Sequence, residues 1–163
     1  MDSWWQKTTP DKPRDTPWIS PSATEFLDGI LQPDFEVLEH GSGGSTVWMA
    51  ERVQSVIAVE NNAHWRREGK NISMIVSLDQ IYKSYDLLFI DGEPVAERAG
   101  WIKAVPKLVK PGGWVVLDNA NRPEYAEERE WLKSVSENVT TFDGNIESTS
   151  YLVTEFYQLK AQE

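Results

Sequence analysis

The chain has 163 residues, enough for one core and too few for two ordinary ones, and its 40% hydrophobic and 26% charged residues make a globular composition. A net charge of −10 with no long basic run argues against a nucleic-acid partner, and the lack of cysteine excludes disulfides, thiolate zinc sites and cysteine nucleophiles. Residues 1–18 carry no apolar signal core and no stretch approaches a membrane span, so a cytoplasmic protein with no membrane partner is expected.

Four prolines (Pro10, Pro13, Pro17 and Pro21) make residues 1–22 an expected extended arm, with one domain over 23–163. Ser22 is a candidate cap for a helix over Ala23–Leu31, ended by Pro33. Apolar runs then alternate with helical segments. Strands are expected over Phe35–Glu39, Ser55–Glu60, Ile72–Val76, Asp86–Ile90 and Trp114–Leu117, then over Val139–Phe142 and Tyr151–Tyr157. Helices are expected over Ser45–Gln54, 62–69, Val95–Val109 and Pro123–Val135, with Lys110-Pro111-Gly112-Gly113 breaking the third. Such alternation predicts an α/β, doubly wound, Rossmann-like fold with helices on both faces of a mainly parallel seven-stranded sheet. The last two strands have no helix between them and should form a C-terminal antiparallel hairpin. Most of the eight tryptophans are expected to pack the core or its edge.

The chemistry concentrates after the first strand, in Glu39-His40-Gly41-Ser42-Gly43-Gly44-Ser45-Thr46. A strand, a glycine turn and a helix start make a ligand site at the carboxyl edge of a parallel sheet. Glu39 beside that turn would repel a diphosphate, the loop has no Lys or Arg, and Thr46 stands where a dinucleotide fingerprint has its third glycine. These features count against a P-loop and a nicotinamide-dependent oxidoreductase. A ligand with an amino group and a sulfonium fits better. Glu60, 21 residues after Glu39, ends the next strand, where a carboxylate can accept both hydroxyls of a ribose.

Glu39-His40-Gly41-Ser42-Gly43 resembles the E/D-x-G-x-G motif of class I S-adenosylmethionine-dependent methyltransferases, and Val56-Ile57-Ala58-Val59-Glu60 resembles their acidic second motif. Tyr85–Gly92 and Leu108–Gly113 are similar to the family's fourth-strand and pre-fifth-strand motifs. The resemblance, over about residues 35–120, implies S-adenosylmethionine as cofactor, held by Glu39, Gly41, Ser42, Gly43, Ser45, Thr46, Glu60 and Asn61. It adds Asp79 near the adenine and Asp91 beside the transferable methyl, with a small-molecule acceptor methylated on oxygen or nitrogen.

Asp91, Asp118 and Asn119 each follow a strand, and hard oxygen ligands of this kind suit Mg²⁺. The set resembles the metal site of catechol-type O-methyltransferases, which implies Asp91 as a catalytic residue and a metal that activates the acceptor hydroxyl. Pro94 stands where that family has its lysine base. Glu93, Arg98 and Arg122 are candidates to bind a polar acceptor or to be solvated, and Trp18, Ile19 and Ser20 to close the pocket or pack at the sheet edge. The thin acceptor apparatus keeps a second reading open, a non-catalytic S-adenosylmethionine-binding or protein-interaction module.

Overall fold

The computed structural model describes residues 16–143 and 153–161. Residues 1–15 of the arm expected over 1–22, the 144–150 connection and the expected strand start at Tyr151 lie outside the described residues.

The first helix, α1 (Pro21–Ile30), starts two residues earlier than expected because Ser20, not Ser22, caps it. The Ser20 hydroxyl accepts from the Ala23 amide at 3.1 Å, and Pro21 fills a first-turn position that needs no amide hydrogen. Five parallel strands follow: β1 (Glu36–His40), β2 (Ser55–Val59), β3 (Ile72–Ile75), β4 (Tyr85–Ile90) and β5 (Val109–Leu117). Helix α2 (Gly44–Ala50) joins β1 to β2.

The expected helix over 62–69 is absent. Asn62 diverts the chain into a turn by accepting the His64 amide on its side-chain oxygen at 3.0 Å and the Trp65 amide on its carbonyl at 3.0 Å. The expected Val95–Val109 helix is divided into a 3₁₀ turn (Val95–Glu97), α3 (Arg98–Lys103) and α4 (Val105–Leu108). Pro106 has no amide hydrogen for the Ile102 carbonyl, so the chain breaks at Ala104. Lys110–Gly113 proves to be a bulge within β5, since Val109 pairs with Tyr85 and Trp114 with Leu87. A further 3₁₀ turn (Pro123–Tyr125) leads into α5 (Ala126–Ser134), and β6 (Ser136–Asp143) and β7 (Val153–Leu159) complete the sheet.

The seven strands lie in the order β3-β2-β1-β4-β5-β7-β6. β1 to β5 pair in parallel, and β7 pairs antiparallel with both β5 and β6, which forms the expected hairpin. Alternate residues feed two cores. Leu38, Leu88, Ile90 and Leu117 pack with Trp101, Ile102, Val105 and Leu132 of α3, α4 and α5. On the other face Val37, Leu87, Phe89 and Val116 pack with Ala23, Leu27, Trp48 and Met49 of α1 and α2. The helices therefore change face between β1 and β4, the position where ligands bind in doubly wound sheets. No helix among the described residues is long and apolar enough to cross a membrane.

Ser20→Ala should lower the unfolding free energy by about 1 kcal/mol, whereas Ser22→Ala, at an exposed position, should stay within about 0.5 kcal/mol of the parent. Urea unfolding of both variants checks this, and equal losses would contradict the assigned cap.

Candidate cofactor and acceptor site

The ladder continues one residue past each strand and so brings the candidate side chains to one edge. Gly41 N donates to Val59 O at 2.9 Å, Glu60 N to Ile75 O at 3.1 Å, Asp91 N to His40 O at 3.1 Å and Asp118 N to Ile90 O at 3.1 Å. Gly41, Glu60, Asp91 and Asp118 thus leave four adjacent strands side by side.

Gly41 has φ +95°, and a Cβ there would lie 2.7 Å from the Cα of Gly92. A Cβ on Gly92 would meet His40 Nε2 at 2.8 Å and Gly41 N at 2.9 Å. The two loops therefore pass in backbone contact that admits no side chain at either position. Gly92 was part of the β4 motif in the sequence, but its pairing with Gly41 depends on strand order and was not legible there.

Glu39, 1% exposed, points to the α2 face and accepts hydrogen bonds from the hydroxyls of Ser45 and Thr46. Thr46 also accepts from Gly43 N at 3.0 Å. Burial pushes the Glu39 carboxyl up to about 7, the two hydroxyls pull it down, and the charge of Glu60 adds to the rise. A buried acid in this state is suited to a cationic ligand, whose arrival would favour the ionised form. Glu60, half-buried, accepts from Ser42 N at 3.2 Å on one oxygen and from Asn62 N at 3.1 Å on the other. Each oxygen keeps a lone pair for a hydroxyl donor.

Asn61 is exposed beside Glu60, and Asp79 is exposed in the 3₁₀ turn Leu78–Gln80 after β3. An aromatic wall stands at the turn, made of Trp18, a candidate from the sequence, and Trp65, which the sequence did not reveal. A Cβ on Gly43 would lie 3.7 Å from the Trp65 ring, and Trp18 meets Trp65 edge to face with centroids 5.8 Å apart. Ile19 and Ser20, by contrast, are buried under α1. His40 points away from the turn and stacks on Trp101 at 4.5 Å. Burial, then the charge of Arg98, pulls its imidazole down to about 3, so it is neutral and serves packing.

At the ends of β4 and β5 Asp91 and Asp118 are brought together. Burial, then the charge of Asp118, pushes the Asp91 carboxyl well above the usual carboxylate range, and burial also raises Asp118. Asp118 Oδ1 accepts from the Thr154 hydroxyl at 3.1 Å. Asn119, in the left-handed region at φ +51°, turns its side-chain oxygen to Arg98. Arg98 is not a surface candidate: it is 1% exposed, in contrast to both readings made for it from the sequence. It donates from Nε to Gly92 O at 3.1 Å and from Nη1 to Asp118 O at 2.9 Å, Asn119 Oδ1 at 3.1 Å and Tyr125 Oη at 3.3 Å. Its Nη2 lies 3.9 Å from Asp91 Oδ1. Glu93 is exposed and accepts the Val95 amide at 3.1 Å.

This corner does not fit the expected Mg²⁺. Asn119 gives its oxygen to a guanidinium, and a second positive charge would stand against a fixed one.

No family model and no curated protein matches the chain. Solved structures do match. An O-methyltransferase from Bacillus cereus in complex with SAH superposes with TM-score 0.65 at 19% identity, over 87% of this chain and 82% of that one. An rRNA methylase from Streptococcus thermophilus gives TM-score 0.66 at 13% identity, over 86% and 95%. A precorrin-6y C5,15-methyltransferase from Geobacter metallireducens gives TM-score 0.66 at 18% identity, over 92% of this chain and 95% of that one. The fold is that of the class I S-adenosylmethionine-dependent methyltransferases.

Because Glu39 has its folded value raised from 4.5 to about 7, the unfolded chain gives up this proton at lower pH than the folded one. Its contribution to stability is complete below 4.5 and is lost as pH rises through about 7. Urea unfolding of wild type and Glu39→Gln at about pH 5 and about pH 8 should show the wild type losing ground to the variant at the higher pH. A constant difference would contradict the buried, protonatable Glu39.

Proposed function

We propose that the chain is a methyltransferase that uses S-adenosylmethionine to methylate an oxygen or nitrogen of a small-molecule acceptor in the cytoplasm. The observation that carries the reading is the pair of carboxylates flanking one glycine turn, buried Glu39 and half-buried Glu60, on a methyltransferase fold. The residues fit the cofactor. Glu39 is a buried acid suited to its amino group, Gly43 keeps the backbone of the turn bare beside the Trp65 ring, and Glu60 has free lone pairs for the ribose hydroxyls.

The remaining roles follow from position. Ser42, Ser45 and Thr46 hold the turn and Glu39 in place, while Asn61 and Asp79 flank the expected adenine end. S-adenosylmethionine, when bound, supplies an electrophilic methyl group. The protein's share is to hold donor and acceptor in line and exclude water. Asp91, with its side chain 32% exposed after β4, is the residue proposed to meet the acceptor and take its proton. The net charge of −10 favours a small molecule over nucleic acid as acceptor, although the solved relatives include an rRNA methylase.

Calorimetry should show S-adenosylmethionine and its product S-adenosylhomocysteine binding, and NADH failing to bind. Glu60→Ala should weaken the binding by about 1.5–3 kcal/mol, the range for hydrogen bonds to a charged group. NADH binding without S-adenosylmethionine binding would refute the reading, and an unchanged affinity in Glu60→Ala would return Glu60 to a purely structural role.

A further inference from the structure

Arg98 is the most deeply buried charge at the acceptor corner, and the cofactor reading gives it no task. It comes from the start of α3, and its side chain passes under the loop after β4. There it binds the end of β4 through Gly92 O and the end of β5 through Asp118 O, then reaches Asn119 Oδ1 and Tyr125 Oη. Tyr125 Oη in turn donates to Asn119 O. The outer nitrogen of the guanidinium faces Asp91 at 3.9 Å. All three side chains that the sequence offered as metal ligands are thus attached to one guanidinium, directly or through their own backbone.

We propose that Arg98 takes the place of a divalent cation in this corner, and that the acceptor site is built to work without a metal. Two carboxylates close together at a sheet edge need a compensating charge. A guanidinium provides it permanently, in a planar fork that several oxygens can share. At 1% exposed Arg98 cannot touch an acceptor, so it is a positioning residue. It fixes the side chain of Asn119 and supplies the positive charge that faces Asp91. The inference rests on the methyl-transfer reading only for what the corner is used for.

The test is a titration of the full-length protein with Mn²⁺, followed by the paramagnetic resonance of the free ion, in the presence of S-adenosylhomocysteine. Binding of that nucleoside, measured separately, bears on the proposed function, and Mn²⁺ uptake bears on Arg98. Wild type should take up no Mn²⁺ at this corner up to about 1 mM, the weak end of oxygen-ligand divalent sites. Uptake of one ion per chain that disappears in Asp118→Asn would overturn the proposal. Arg98→Ala, if cooperatively folded in a thermal melt, should gain Mn²⁺ uptake that is lost again when Asp118→Asn is added. A folded Arg98→Ala that takes up none would show that the guanidinium is not what bars the ion. Arg98→Lys keeps the charge and is the variant to use if the alanine change unfolds the chain. It should take up no Mn²⁺, and uptake by it would contradict the proposal equally.

Discussion

Between β1 and β4 the backbones of Gly41 and Gly92 pass so close that a Cβ on the first would stand 2.7 Å from the Cα of the second. This contact fixes where the two ligand-facing loops leave the sheet. With it in place, the glycine turn begins over β2, Asp91 projects beside it, and Arg98 can reach back under Gly92 to the end of β5. It also accounts for His40, which lies between Gly92 and Trp101 and packs the opposite face from Glu39, its neighbour in the chain. The alternation of one strand thus sends one polar side chain toward the start of α2 and the next into the opposite core.

The second theme is charge management at the edge. Glu39, Glu60, Asp91 and Asp118 stand at the ends of four adjacent strands, and water cannot solvate all of them. The structure answers in different ways. Glu39 has two hydroxyl donors and Glu60 two backbone amides, while Asp118 has the Thr154 hydroxyl and shares its corner with Asp91 over a buried guanidinium. A cationic ligand beside the glycine turn would complete that pattern by compensating Glu39, whose proton affinity burial raises.

Much of this was legible in the sequence for a plain reason. The class of a doubly wound sheet follows from the alternation of elements, and the glycine turn with Glu39 and Glu60 is local enough to read directly. What escaped was set by contacts distant in the chain. Arg98 looks like any helix-surface arginine until the ends of β4 and β5 are brought over it, and only then does Asn119 turn from a candidate metal ligand into its partner. Asn62 carried a helix-like context but had a backbone turn to offer, and Pro106 broke a helix whose apolar spacing continued past it. Trp65 could not be placed beside Gly43 because that proximity is created by the turn at Asn62.

The central claim is that the turn between Glu39 and Glu60 is a nucleoside-sulfonium site, and a crystal structure with S-adenosylhomocysteine tests it most directly. The account predicts the ribose hydroxyls on the Glu60 carboxylate and the amino group of the ligand on the Glu39 side of the Gly41–Gly43 turn. The thioether sulfur should face Asp91. A ligand bound elsewhere, or one seated at the turn with its ribose away from Glu60, would contradict the account.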